Sequence, residues 1–120
     1  MITHLVVMKP RVDLTARDRE AFIEAFEHAV REIPVVRAVR IGRRVTHGAQ
    51  YEQTSPDAAD FLIQIDFEDL AGLQAYLRHP AHEALGAHFD RLLQSGWVYD
   101  FETGDLARLR EFGGPGGESR

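Results

Sequence analysis

The chain has 120 residues, 44% of them hydrophobic, which suits one globular domain with a real core and is too short to divide into two. It carries 14 basic and 19 acidic side chains for a formal net charge of -5, and its only basic cluster is the short RIGRR from Arg40 to Arg44, so there is no electrostatic footprint for nucleic acid. Cysteine is absent, which excludes a disulfide framework, a thiolate metal site and a cysteine nucleophile, and fits a reducing compartment.

Ile2 to Lys9 is a β-branched and apolar run stopped by Pro10, long enough for a strand and too short for a helix. The following LTARDREAFIEAFEHAVREIP opens with Thr15 and Asp18 at capping-box-like spacing, sets Phe22, Phe26, Ala29 and Ile33 on one helical stripe, and stops at Pro34. Val35 to Val45 alternates loosely and predicts a second strand, with Gly42 as a bulge. THGAQYEQTSPDAA, residues 46 to 59, is polar, turn-rich and long for a connection, so it reads as a lid or a floppy loop. Phe61, Ile63, Ile65 and Phe67 alternate with Leu62, Gln64 and Asp66 as a third strand.

Asp69 can cap a short helix bearing Leu70, Leu73, Tyr76 and Leu77, and Pro80 suits the first position of another helix running to about Gln94 and ended by Ser95 and Gly96. WVYDFE is the fourth strand, with Trp97, Tyr99 and Phe101 on one face and Val98 and Asp100 on the other. The tail from Gly104 holds one short amphipathic piece, DLARLREF, before GGPGGESR, whose composition predicts disorder. No apolar run approaches a membrane span and the opening MITHLVVMKPR lacks a basic leader and a cleavage site, so the expectation is a soluble, cytoplasmic protein.

This order of elements predicts a ferredoxin-like α+β sandwich, a four-stranded antiparallel sheet with helices on one face. The other face would carry Leu5, Val7, Leu62, Gln64, Asp66, Trp97, Tyr99 and Phe101, an unusual set to leave in water. A face-to-face homodimer is the economical expectation.

Three of the six histidines fall in YLRHPAHEALGAHF, residues 76 to 89. His82 precedes Leu85, Phe89 and Leu92 by three, seven and ten residues, so it opens the buried stripe of its helix. His79, at the cap, and His88, off the stripe, are expected to face solvent, as are His28 and His47. Tyr76 ends the inner stripe of the preceding helix. From His82 the helix runs roughly 18 Å and the fourth strand returns roughly 13 Å to Asp100, so the two lie at a similar level. Strands one and four are antiparallel neighbours in this fold, which brings His4 near Asp100. His4, Tyr76, His82 and Asp100 thus form a candidate constellation. Two readings stay open: a satisfied polar pair tying helix to sheet, or an acid/base site. HPAH is not expected to hold a metal, since a cap residue and a buried residue three apart seldom aim at one ion.

THLVVMK, FEDLAGLQAYLRHPAH and VYDFE together resemble the stress-responsive A/B barrel (Dabb) proteins over about residues 2 to 102. The resemblance implies a dimeric α+β barrel, with the domain at residues 1–103 and a flexible extension at 104–120. It also implies, by likeness to the family's plant polyketide cyclase, that His82 is the catalytic histidine, Tyr76 the catalytic tyrosine, Asp100 the carboxylate orienting it, and His4 a pocket histidine. Phe26 and Phe61 stand where that cyclase has a tyrosine and a histidine, a loss of two hydrogen-bonding groups. The pocket is expected between sheet and helices, lined by His4, Val6, Met8, Phe22, Phe26, Phe61, Ile63, Leu85 and Val98 around the three catalytic candidates.

The chemistry expected is cofactor-independent acid/base catalysis, a cyclisation or isomerisation of a small β-keto or phenolic acid: His82 abstracts a proton beside a carbonyl and Tyr76 donates to the oxygen. The alternatives are a non-catalytic dimeric stress-response protein binding a small apolar ligand, a dimer without ligand, and a cofactor-free quinone-forming monooxygenase.

Overall fold

The computed structural model describes residues 1–57 and 59–113. In chain order it contains β1 (Ile2–Pro10), α1 (Ala16–Glu32), β2 (Ala38–Arg43), β3 (Phe61–Phe67), α2 (Leu70–Arg78), α3 (Pro80–Leu92), β4 (Leu93–Glu102) and α4 (Leu109–Gly113), with short 3-10 turns at Gln50–Gln53 and Leu106–Arg108. The disorder expected of GGPGGESR, residues 113–120, falls outside the described residues except at Gly113, which ends α4. No helix among the described residues is long and apolar enough to cross a membrane.

The helix starts follow from local chemistry. Thr15 and Asp69 sit in extended conformation at the N-caps of α1 and α2, and their side chains accept the backbone N–H of Asp18 at 3.0 Å and of Gly72 at 2.9 Å. The strands make one antiparallel sheet in the order β2-β3-β1-β4. Its register sets His4 opposite Ile65 and Asp100, Val6 opposite Ile63 and Val98, and Met8 opposite Phe61 and Gly96. On the side facing the helices Phe61, Val98 and Asp100 stay partly exposed, while Val6, Met8, Ile63 and Ile65, with Phe22, Ile33, Leu73, Tyr76 and Leu85, build the core. Each such side chain fully buried contributes roughly 1.5–3 kcal/mol.

Three expectations are corrected. The sheet is not closed into a barrel: β2 and β4 lie at its two open edges. Four strands are half the roughly eight at which a closed barrel just accommodates its own side chains. The third helix stops at Leu92 instead of Gln94, and Leu93 to Gly96 belong to β4. Sheet hydrogen bonding to the end of β1 wins there, with Gly96 opposite Met8 and a register shift at Lys9 and Pro10, where proline has no N–H to give the ladder. The second strand is shorter than Val35 to Val45, because Ile33 to Val36 form the turn out of α1, Val36 N–H donating to the Ile33 carbonyl at 3.3 Å. In the long connection that follows, the Glu52 carboxylate accepts the backbone N–H groups of His47 and Gly48 at 3.0 and 2.9 Å, with Gly48 at φ 90° where a Cβ would be strained.

Candidate active site at the α2–α3 corner

α2 and α3 meet at one residue. His79 ends the first helix and caps the second in extended conformation (φ -70°, ψ 138°), its Nδ1 accepting the Ala81 N–H at 3.0 Å, and Pro80 follows at the first helical position. The sharp corner sets the last turn of α2 against the first turn of α3. Tyr76 and His82 therefore face each other, with ring centroids 4.7 Å apart at an interplanar angle of 59°. Tyr76 is 2% exposed, held also against Phe67 at 5.2 Å and edge-on to His4 at 5.8 Å.

Behind Tyr76, on the sheet, His4 Nδ1 and Asp100 Oδ1 are 2.6 Å apart. Asp100 was expected to orient His82; the structure pairs it with His4 instead, and among the described residues no hydrogen bond or ion pair joins it to His82. The reason is reach. Asp100 and His4 are direct partners across the β1–β4 ladder, about 5 Å apart at Cβ, whereas His82 sits in the helical layer above. An aspartate side chain is too short to serve both.

Tyr76 and His82 open onto a cavity of about 300 Å³ that is also lined by Val6, Phe22, Phe26, Ile63, Leu85 and Val98 of the predicted pocket. Met8 and Phe61 belong to a second cavity of about 590 Å³, which shares Phe22, Phe26 and Ile63 with the first. His4 and Asp100 line neither. Sequence reasoning missed Asp90, the one carboxylate lining the smaller cavity, together with Ile65, Leu77, Gly86 and Phe89. A signal existed: His82, Gly86 and Asp90 follow at steps of four along one side of α3. His79 and His88, expected in solvent, are half-buried, while His28 and His47 are exposed as expected. Among the described residues no three His, Asp or Glu side chains gather as a metal-binding set.

The electrostatics divide the pair into a donor and an acceptor. Burial pushes the Tyr76 phenol up to about 12, so its hydroxyl keeps its proton. His82 is lowered below the ordinary 6.5, first by burial and then by the charge of His4, with the Leu77 carbonyl and Glu83 acting the other way. Its imidazole is neutral at physiological pH and free to accept a proton.

The profile of a family described as Stress responsive A/B Barrel Domain matches residues 2–103. The chain is 24% identical over 100 residues to olivetolic acid cyclase from Cannabis sativa, a match covering 83% of this chain and 94% of that protein. Among solved structures, hydroxynitrile lyase from Passiflora edulis superimposes with a TM-score of 0.71 at 12% identity, over 88% of this chain and 94% of that one. A dimeric ferredoxin-like protein from Thermobifida fusca gives 0.66 at 22% identity, over 85% and 90%. At these identities the structural likenesses show a shared fold.

Proposed function

The chain belongs to the stress responsive A/B barrel domain family, and from that premise we propose that it is a cofactor-independent acid/base enzyme acting on a small β-keto or phenolic acid, by cyclisation or isomerisation. One observation carries this reading: Tyr76 and His82 share the wall of an apolar cavity at 4.7 Å, one kept protonated and the other neutral. A carbonyl compound seated there would lose the proton of its neighbouring C–H to His82. The released electron pair moves into the enolate oxygen, to which the Tyr76 hydroxyl donates. Attack of that enolate on a second carbonyl closes a ring; return of the proton at another carbon is an isomerisation. His82 delivers the same proton back, so no cofactor enters the balance. Two similar proteins are named as a cyclase and a lyase, which agrees with bond-making and bond-breaking under acid/base control.

Turnover of β-keto acids, polyketide thioesters and phenolic acids tests the reading. His82→Ala is expected to lower kcat by roughly a hundredfold or more with a smaller change in KM. Tyr76→Phe should cost roughly tenfold to a hundredfold, since the ring's packing stays and one donor goes. Undiminished turnover in His82→Ala would make the corner a structural anchor. A second reading, a dimeric binding protein for a small apolar ligand, draws on the apolar lining of the larger cavity; it predicts saturable binding with no turnover.

The assembly proposed with this function is a homodimer joined through the outer sheet face. Trp97, Tyr99 and Phe101 are 44%, 52% and 47% exposed there, a contiguous aromatic surface that favours burial. The similar Thermobifida fusca protein is dimeric.

A further inference from the structure

α1 packs chiefly on α3, which leaves the β2 side of the helix-facing sheet uncovered. The gap is the cavity of about 590 Å³ between α1, β2 and β3, a volume in the range of small-molecule sites. Ile41 and Phe61 sit on the helix-facing side of the sheet, yet Ile41 is 76% exposed and Phe61 39%. Oily surface is thus left in water under a helix that does not reach it.

The rim carries charge of one sign in excess. Arg19 from α1 and Arg43 from β2 both line the cavity, and Glu27 is the only carboxylate that does, so two cations less one anion leave a net charge of one positive. Among the described residues neither arginine forms an ion pair. The rest of the RIGRR cluster is committed elsewhere: Arg44 pairs with Asp57 at 3.5 Å, and Arg40, opposite Gln64, lies on the other face of the sheet. A planar guanidinium left unpaired beside an apolar trough matches one ligand chemistry, a carboxylate on a hydrocarbon chain. Beyond Ile41 and Phe61 the trough reaches Phe22, Phe26 and Ile63, which it shares with the cavity of His82 and Tyr76.

We propose that the larger cavity binds an apolar chain ending in a carboxylate, the carboxylate taken by Arg19 and Arg43 and the chain running over Ile41 and Phe61 toward Phe22 and Phe26. For the acid/base enzyme this favours, among the proposed substrates, a phenolic acid with its carboxylate at the end of an apolar chain over a β-keto acid, whose carboxylate adjoins the reacting carbonyl. That narrowing rests on the reading of His82 and Tyr76; the carboxylate site does not.

Isothermal titration calorimetry of the intact protein with dodecanoate and with dodecanol, both below micelle-forming concentrations, tests it. Dodecanoate should bind saturably and more tightly than dodecanol. The double variant R19M/R43M keeps the apolar stems and should bind dodecanoate roughly tenfold more weakly while leaving dodecanol unchanged. R17M/R31M, on the same helix but away from the cavity, should bind as the native protein does. I41D, at an exposed position, sets a carboxylate against the apolar chain and repels the dodecanoate head group, so both probes should be lost. Equal affinity of the native protein for acid and alcohol, or R19M/R43M matching the native protein, overturns the carboxylate site. Unchanged binding in I41D overturns the placement of the chain. A fully active His82→Ala protein would remove the acid/base reading and leave all of these binding results standing.

Discussion

His4 and Asp100, 2.6 Å apart, make a dyad on the sheet that meets His82 only through the ring of Tyr76 and through charge. A substitution at Asp100 should therefore act through His4. In a double-mutant cycle on kcat/KM, most of the effect of Asp100→Asn should disappear in a His4→Gln background, the non-additivity of groups in direct contact; effects that add would separate the two residues. Because burial and the charge of His4 lower His82, the acid limb of the pH profile should lie below the ordinary imidazole value of 6.5. His4→Gln removes one of those causes and should move the limb upward, which an NMR titration of the His82 ring would also register. The same shift has a stability consequence. Between the lowered folded value and the unfolded value the unfolded chain binds more protons, so stability rises with pH through that window and is lost as pH falls below the unfolded value. His82→Asn should flatten this slope in denaturation measured across pH.

Among the secondary-structure elements, the N-caps of α1 and α2 bear on stability rather than on the corner that builds the site. Thr15 and Asp69 each satisfy a backbone N–H that would otherwise be without a helical partner. Thr15→Ala and Asp69→Ala should each cost about 1 kcal/mol in urea denaturation. Asp69→Ala frays the start of α2, whereas Tyr76 lies near its end, so its stability should fall with kcat nearly unchanged. A comparable loss of kcat would show that the corner depends on the whole length of α2. The boundary between α3 and β4 teaches the limit of local signals: Ser95 and Gly96 read as a helix stop, yet they lie inside the strand, because pairing with Lys9 and Met8 outweighs their turn preference.

The molecule as a whole presents two unlike surfaces of one sheet, the helix-covered face with its cavities and the bare face with Trp97, Tyr99 and Phe101. The proposed homodimer predicts sedimentation as a dimer at micromolar concentration. Trp97→Asp together with Phe101→Asp, which buries like charges against each other in a twofold interface, should give a folded monomer. A native protein that sediments as a monomer would refute the assembly.

The sequence alone determined the order of strands and helices, the faces of β1, β3 and β4, and the two caps, since these follow from period and neighbouring residues. It also placed Tyr76 and His82 together, because one short corner in YLRHPAH joins the helices that carry them. The motif-level likeness to the Dabb family was legible as well, and the family match over residues 2–103 shows it. Partner choice was not legible. Asp100 stood within plausible reach of two imidazoles, and only the β1–β4 register, which puts His4 directly across the ladder, decided between them. Likewise the open sheet edges and the gap under α1 depend on how layers pack across long sequence separations. Those distances are set by the summed volumes of side chains between layers, a quantity that no local pattern of residues contains.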